Sequence, residues 1–141
     1  MKKILAAILA GLMALSMAAC GAAGSGTGDG SDKVYRVGII QLVTHDALDA
    51  ATKGFQDALT AELGEGSVKF DLQNAAGDSN TCATIVNSFV SNQVDLIMAN
   101  ATPALQAAAA ATADIPILGT SVTEYGVAMG IDNFTGTVGG N

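Results

Sequence analysis

The side chains with chemistry to offer gather where apolar runs stop. The run Val37-Gly-Ile-Ile-Gln41-Leu-Val43 ends at Thr44-His45-Asp46, with Asp49 three residues on. A second run ends at Asn74-Ala-Ala-Gly-Asp78, a third, Val94–Ala99, at Asn100-Ala-Thr102-Pro103, and a fourth, Ile115–Gly119, at Thr120-Ser121-Val-Thr123. Hydroxyls, amides and the N-termini of the helices that follow make an anion site without any cationic side chain, and a carboxylate fits it. His45, Asp46, Asp49 and Asp78 offer acceptors to an ammonium group, so a small zwitterion such as an amino acid can be held at both ends. Each residue also has a plainer reading. Thr102 is a helix cap, Asp46 and Asp49 compensate a helix dipole, and His45 caps a helix, stacks on a ligand or faces solvent.

Signals for catalysis are sparse. The single histidine has no Cys or His at metal-ligand spacing, and neither a nucleophile elbow nor a phosphate-binding loop is present. A Ser-His-Asp arrangement converges only in space, so sequence leaves it open. The expectation is a binding protein with no cofactor. Asn100-Ala-Thr102 and Asn133-Phe-Thr135 match a glycosylation sequon, which is read here as a chance match.

Positioning those strand ends requires a regular scaffold, and the hydrophobic pattern supplies one. The run to Val43 reads as a buried strand, and Leu48, Ala51, Phe55, Ala58 or Leu59, and Leu63 recur at helical steps over about 46–62. Val68, Phe70 and Leu72 alternate as one face of a strand over 67–73. A helix over about 79–91 packs through Cys82, Ile85, Val86, Phe89 and Val90, with Cys82 a small buried hydrophobe. A strand at 94–99, an Ala-rich helix from Thr102 to about Ala113 with Pro103 in its first turn, and a strand at 115–119 complete the series. Strands alternating with helices predict an α/β fold with a Rossmann-like parallel sheet, right-handed crossovers and helices on both faces. The ends of the first, third and fourth strands then lie side by side, at the edge where open α/β sheets bind ligands.

Thirteen acidic residues against six basic ones give a net charge of −7, and with no basic stripe nucleic-acid partners are set aside. Met1-Lys2-Lys3, the apolar stretch from Ile4 to Ser16, and small residues before Cys20 look like a bacterial lipoprotein signal over residues 1–19. The apolar stretch is shorter than the roughly 20 residues a membrane span needs. Cys20 is then the lipidated residue, residues 20–32 are a flexible Gly/Ser linker, and Cys82 has no disulfide partner. The glycines of that linker precede the first strand, the wrong context for a dinucleotide loop. The folded unit is 33–141, and its ending on Gly139-Gly140-Asn141 reads as a truncation.

Val37-Gly-Ile-Ile-Gln-Leu-Val-Thr-His-Asp-Ala-Leu-Asp-Ala-Ala, Gly54-Phe55-Gln-Asp-Ala-Leu59, Asn74-Ala-Ala-Gly-Asp78, Val94-Asp-Leu-Ile97, Ala101-Thr-Pro103 and Asp114-Ile-Pro-Ile117 resemble the ABC-transporter substrate-binding lipoproteins of the tryptophan/tyrosine type. The resemblance implies one lobe, the N-terminal, of a type I periplasmic-binding-protein fold, whose two lobes close on a ligand in the cleft between them. It implies that Gln41, His45, Ala47, Leu48 and Asp49, then Thr102 and Pro103, then Thr120 and Ser121 line this lobe's half of the cleft. It further implies an aromatic amino acid as ligand, ABC permease and ATPase subunits as partners, and a lipid-anchored protein on the extracytoplasmic face of the cell membrane. The alternative function is a ligand-sensing surface lipoprotein without a transport role. An α/β-hydrolase-like enzyme needs a nucleophile at a strand-to-helix turn.

Overall fold

The computed structural model describes residues 33–136. The expected signal segment, Cys20 and linker lie outside the described residues. Four strands, β1 (Tyr35–Gln41), β2 (Val68–Asn74), β3 (Leu96–Asn100) and β4 (Ile117–Thr120), alternate with helices α1 (Asp46–Leu63), α2 (Ser79–Ser91), α3 (Thr102–Ala111) and α4 (Tyr125–Met129). The strands form one parallel sheet in the order β2-β1-β3-β4. β1 is in register with β2 from Tyr35 opposite Val68 to Gln41 opposite Asn74, and with β3 from Val37 opposite Leu96 to Gln41 opposite Asn100.

Alternation along the strands sorts side chains between two faces. Val37, Ile39 and Met98 are buried on one face, where Phe55 and Leu59 of α1 and Val68 and Phe70 of β2 pack on them. Ile40, Ile97 and Ala99 point to the other, beneath Val86 and Phe89 of α2 and Ala104, Leu105 and Ala108 of α3. Small residues let these layers approach. A Cβ added to Gly38 would stand 2.6 Å from the Phe89 ring, so only glycine admits that aromatic, which is fully buried. The alanines of α3 bring it against α2 and the sheet.

The expected elements are present, with some differences. The third strand begins at Leu96, two residues later than expected, and runs to Asn100. Leu72, grouped with Val68 and Phe70, is 48% exposed; β2 is an edge strand, and of the three only Val68 and Phe70 join the cluster with Phe55 and Leu59 of α1. The fourth strand begins at Ile117, two residues later than expected, and runs to Thr120. Beyond Ser121, where the sequence pattern predicts no element, the chain forms the five-residue helix α4, too short to show a periodicity. Tyr125 anchors it by donating to the Gly119 carbonyl (2.8 Å) and stacking on Phe134, and Glu124 caps it at the N–H groups of Gly126 and Val127. Among the described residues no helix is long and apolar enough to cross a membrane.

Candidate ligand-binding edge

The C-terminal ends of β1, β3 and β4 are stitched together by backbone bonds. Leu42 N–H donates to the Asn100 carbonyl (3.2 Å) and Ala101 N–H to the Thr120 carbonyl (2.9 Å). The β1–α1 loop, the β3–α3 turn and the residues after β4 therefore share one edge, as the parallel topology requires. The β2–α2 turn joins the same edge through Gly77 N–H on the Leu42 carbonyl (2.7 Å).

The helix starts on this edge differ in how their free N–H groups are satisfied. At α1, His45 is the cap, its Nδ1 accepting from Ala47 N–H at 3.2 Å. At α2, Asp78 Oδ1 accepts from Asn80 and Thr81 N–H at 2.6 and 3.0 Å. The carboxylate expected to meet an ammonium group is thus engaged as a cap. It also sits at β2, two strands and about 10 Å from β3. At α3 no side chain caps the helix.

That last observation corrects the expectation that Thr102 is the cap and Pro103 the first helical residue. Ala101 occupies the cap position, Thr102 is already helical, and Pro103 follows it. The reason is a backbone turn one residue early. Ala101 has φ 94° and ψ 158°, a conformation rarely taken by residues other than glycine. Pro103 lacks an N–H, so Thr102 and Ala104 carry the first-turn donors that no side chain accepts. Thr102 and Pro103 are half-buried and Ala104 is fully buried. Beside them, Thr120 is half-buried, and exposed Ser121 is left-handed at φ 55°.

Gln41 is 4% exposed and its amide is fully engaged. Nε2 donates to Asp49 Oδ1 (2.5 Å) and to the Val43 carbonyl (2.9 Å), and Oε1 accepts from the Thr52 hydroxyl at 2.8 Å. Thr52 in turn accepts from Asn100 Nδ2 (2.9 Å), which also donates to the Leu48 carbonyl (2.8 Å). Of the β1–α1 residues, Ala47 and Asp49 are exposed and Leu48 half-buried. Sequence reasoning missed Thr52, which stands within an apolar helical pattern, and it grouped Asn100 with the strand-end amides without its buried bonds to α1. Asn100 is completely buried, so its side-chain amide is not presented at the surface.

A family model described as ABC transporter substrate binding protein matches residues 36–138. The chain belongs to this family. It is 41% identical to a tyrosine-binding protein of Clostridioides difficile (strain R20291), in an alignment covering 99% of this chain and 44% of that protein. Two solved structures are similar over 68% of this chain and 33% of theirs. One is a ligand-free, open substrate-binding protein with adhesive properties from Clostridium difficile, 44% identical with a TM-score of 0.65. The other is an ABC domain from Streptococcus pneumoniae in complex with L-Trp, 37% identical with a TM-score of 0.65. The chain spans less than half the length of the curated relative it matches.

The recesses among the described residues include two whose linings contain none of these strand-end residues. One of about 350 Å³, lined by Lys33, Tyr35, Leu59, Leu63 and Leu96, lies at the opposite edge of the sheet. The other, of about 430 Å³, lies around α4 and Phe134.

Proposed function

We propose that this chain is part of a lipid-anchored solute-binding component of an ABC importer, taking an aromatic amino acid against the C-terminal edge of its sheet. The observation that carries the reading is the uncapped start of α3. The N–H of half-buried Thr102, at the positive end of a helix dipole, meets the ligand carboxylate. Thr120 and Ser121 add hydroxyl groups beside it. His45, Ala47 and Leu48 border the site from the β1–α1 loop, Pro103 contributes apolar surface, and Asp49 accepts from the ligand ammonium. Gln41 holds Asp49 in place, and Asp78 serves through its cap on α2.

The chain binds without transforming its ligand, a role supported by its family and by the engagement of His45 Nδ1 as a helix cap. Tyrosine and tryptophan are favoured because similar proteins are named for tyrosine or hold L-Trp. A lipid on Cys20 would tether residues 33–141 through the Gly/Ser linker at the extracytoplasmic face of the membrane. There it would hand ligand to the permease driven by the ATPase. Palmitate labelling that Cys20→Ala abolishes would support the tether; undiminished labelling would contradict it.

The chain contains no tryptophan, so binding of L-Trp can be followed by the ligand's own fluorescence. Saturable binding of L-Trp, with tryptamine binding much more weakly, is the expected result. Equal binding of tryptamine would remove the carboxylate from recognition and overturn the reading.

A further inference from the structure

The hydrogen bonds beneath the β1–α1 loop run in one direction, and acceptor-only partners fix that direction. The Leu48 carbonyl can only accept, so the Asn100 amide must present Nδ2 to it. The Val43 carbonyl and the Asp49 carboxylate likewise orient Gln41 with Nε2 outward. Gln41 Oε1 then faces the Thr52 hydroxyl, which must donate to it and therefore accepts from Asn100. The relay runs Asn100, Thr52, Gln41, Asp49, from the fully buried end of β3 to an exposed carboxylate on α1.

One feature of Asn100 marks the relay as more than core filling. Its Oδ1 is buried with no partner, so only the donors of this amide are used. A buried unpaired acceptor is unfavourable, and a bare structural role is filled as well by an apolar side chain. The donors join the strand that leads into the strained turn at Ala101 to the helix that carries Asp49.

We propose that Thr52 and Asn100 are positioning residues of the ligand site, acting through Gln41 to fix the Asp49 carboxylate where a ligand ammonium group meets it. This deepens the proposed function and rests on it for the identity of the ligand. Neither residue touches ligand. A near-isosteric Thr52→Val cuts the relay between its buried and exposed halves, while Thr52→Ser preserves it.

The test uses the full-length protein and two probes, L-Trp and indole-3-propionate, which keeps the carboxylate and lacks the ammonium. Thr52→Val is expected to weaken L-Trp about tenfold, Thr52→Ser to restore it, and indole-3-propionate to bind the wild type and Thr52→Val alike. In an Asp49→Asn background Thr52→Val should add nothing further, the non-additivity expected of residues in one network. Equal weakening of both probes, or full additivity with Asp49→Asn, would make Thr52 merely structural and overturn the proposal. Thr52→Ala serves the same comparison if valine prevents folding. Amide hydrogen exchange without ligand separates the two readings. Faster exchange at Ala47–Asp49 in Thr52→Val supports the relay even if the wild type binds neither probe, a result that would overturn only the ligand assignment; unchanged exchange overturns the relay itself.

Discussion

At Ala101 the backbone takes φ 94° where glycine would be at ease, and the helix that follows has no side-chain cap. Strain of this kind costs about 1–3 kcal/mol, while glycine's extra freedom in the unfolded chain costs about 0.5–1 kcal/mol. Ala101→Gly is therefore expected to raise unfolding stability by about 1 kcal/mol, measured by denaturant titration; a lower stability would mean that the turn is not strained. The contrasting residue is Asp78, which caps α2 at two N–H groups. Asp78→Ala should cost about 0.5–2 kcal/mol. Were the wild-type carboxylate a ligand contact instead, the same substitution would weaken L-Trp and leave the denaturation midpoint unmoved.

Among the elements, α2 and α3 seal one face of the sheet through close approaches that tolerate no added atom. Gly38→Ala places a Cβ 2.6 Å from the Phe89 ring and is expected to destabilise by about 1–3 kcal/mol, as overpacking does. Calorimetric melting would reveal it, and an unchanged midpoint would mean that Phe89 can move aside. Cys82 lies in the same layer, fully buried, and burial, with the Asp78 charge nearby, pushes its thiol pKa up. It should react with a thiol reagent only as fast as the protein opens; rapid labelling of the native state would contradict the packing.

These elements were legible because each has its own signature. The helical recurrence of Leu48, Phe55 and Leu59 marked α1, and the continuous run through Ile39 and Ile40 marked a strand covered on both faces. The strand-end edge followed from the parallel alternation. The cap at α3 was misplaced because Thr102-Pro103 carries the local chemistry of a helix start, while the turn at Ala101 is imposed by its bond to Thr120 on the neighbouring strand. The buried partnership of Thr52 and Asn100 was illegible for a related reason. A polar residue at a core position announces itself only when its partners, here 48 positions apart, are seen together.

Across the whole molecule, the two edges of the sheet do different work. At the N-terminal edge Asp95 accepts from Arg36 N–H (2.8 Å) and pairs with Lys33 (2.9 Å). The backbone bond from Arg36 first, then the Lys33 bond, holds its carboxyl below the ordinary carboxylate range. A depressed folded-state pKa favours the native state above the unfolded pKa of about 4, and that contribution disappears as pH falls through the folded value. Asp95→Asn should therefore lower stability at neutral pH and flatten its decline on acidification below about pH 4. Parallel acid titrations of the two proteins would show no such separation if Asp95 were unpaired in solution.

The opposite edge carries the central claim, that the ends of β1, β3 and β4 form one wall of an amino-acid site. The direct measurement is a backbone-amide NMR titration of the chain with L-Trp, repeated with tryptamine. L-Trp should shift the amides of Thr44–Leu48, Thr102, Ala104 and Thr120–Ser121, and tryptamine should leave Thr102 and Ala104 unmoved. Shifts confined to the recess by Lys33, Tyr35 and Leu96, or the same response at Thr102 and Ala104 to both compounds, would contradict the account.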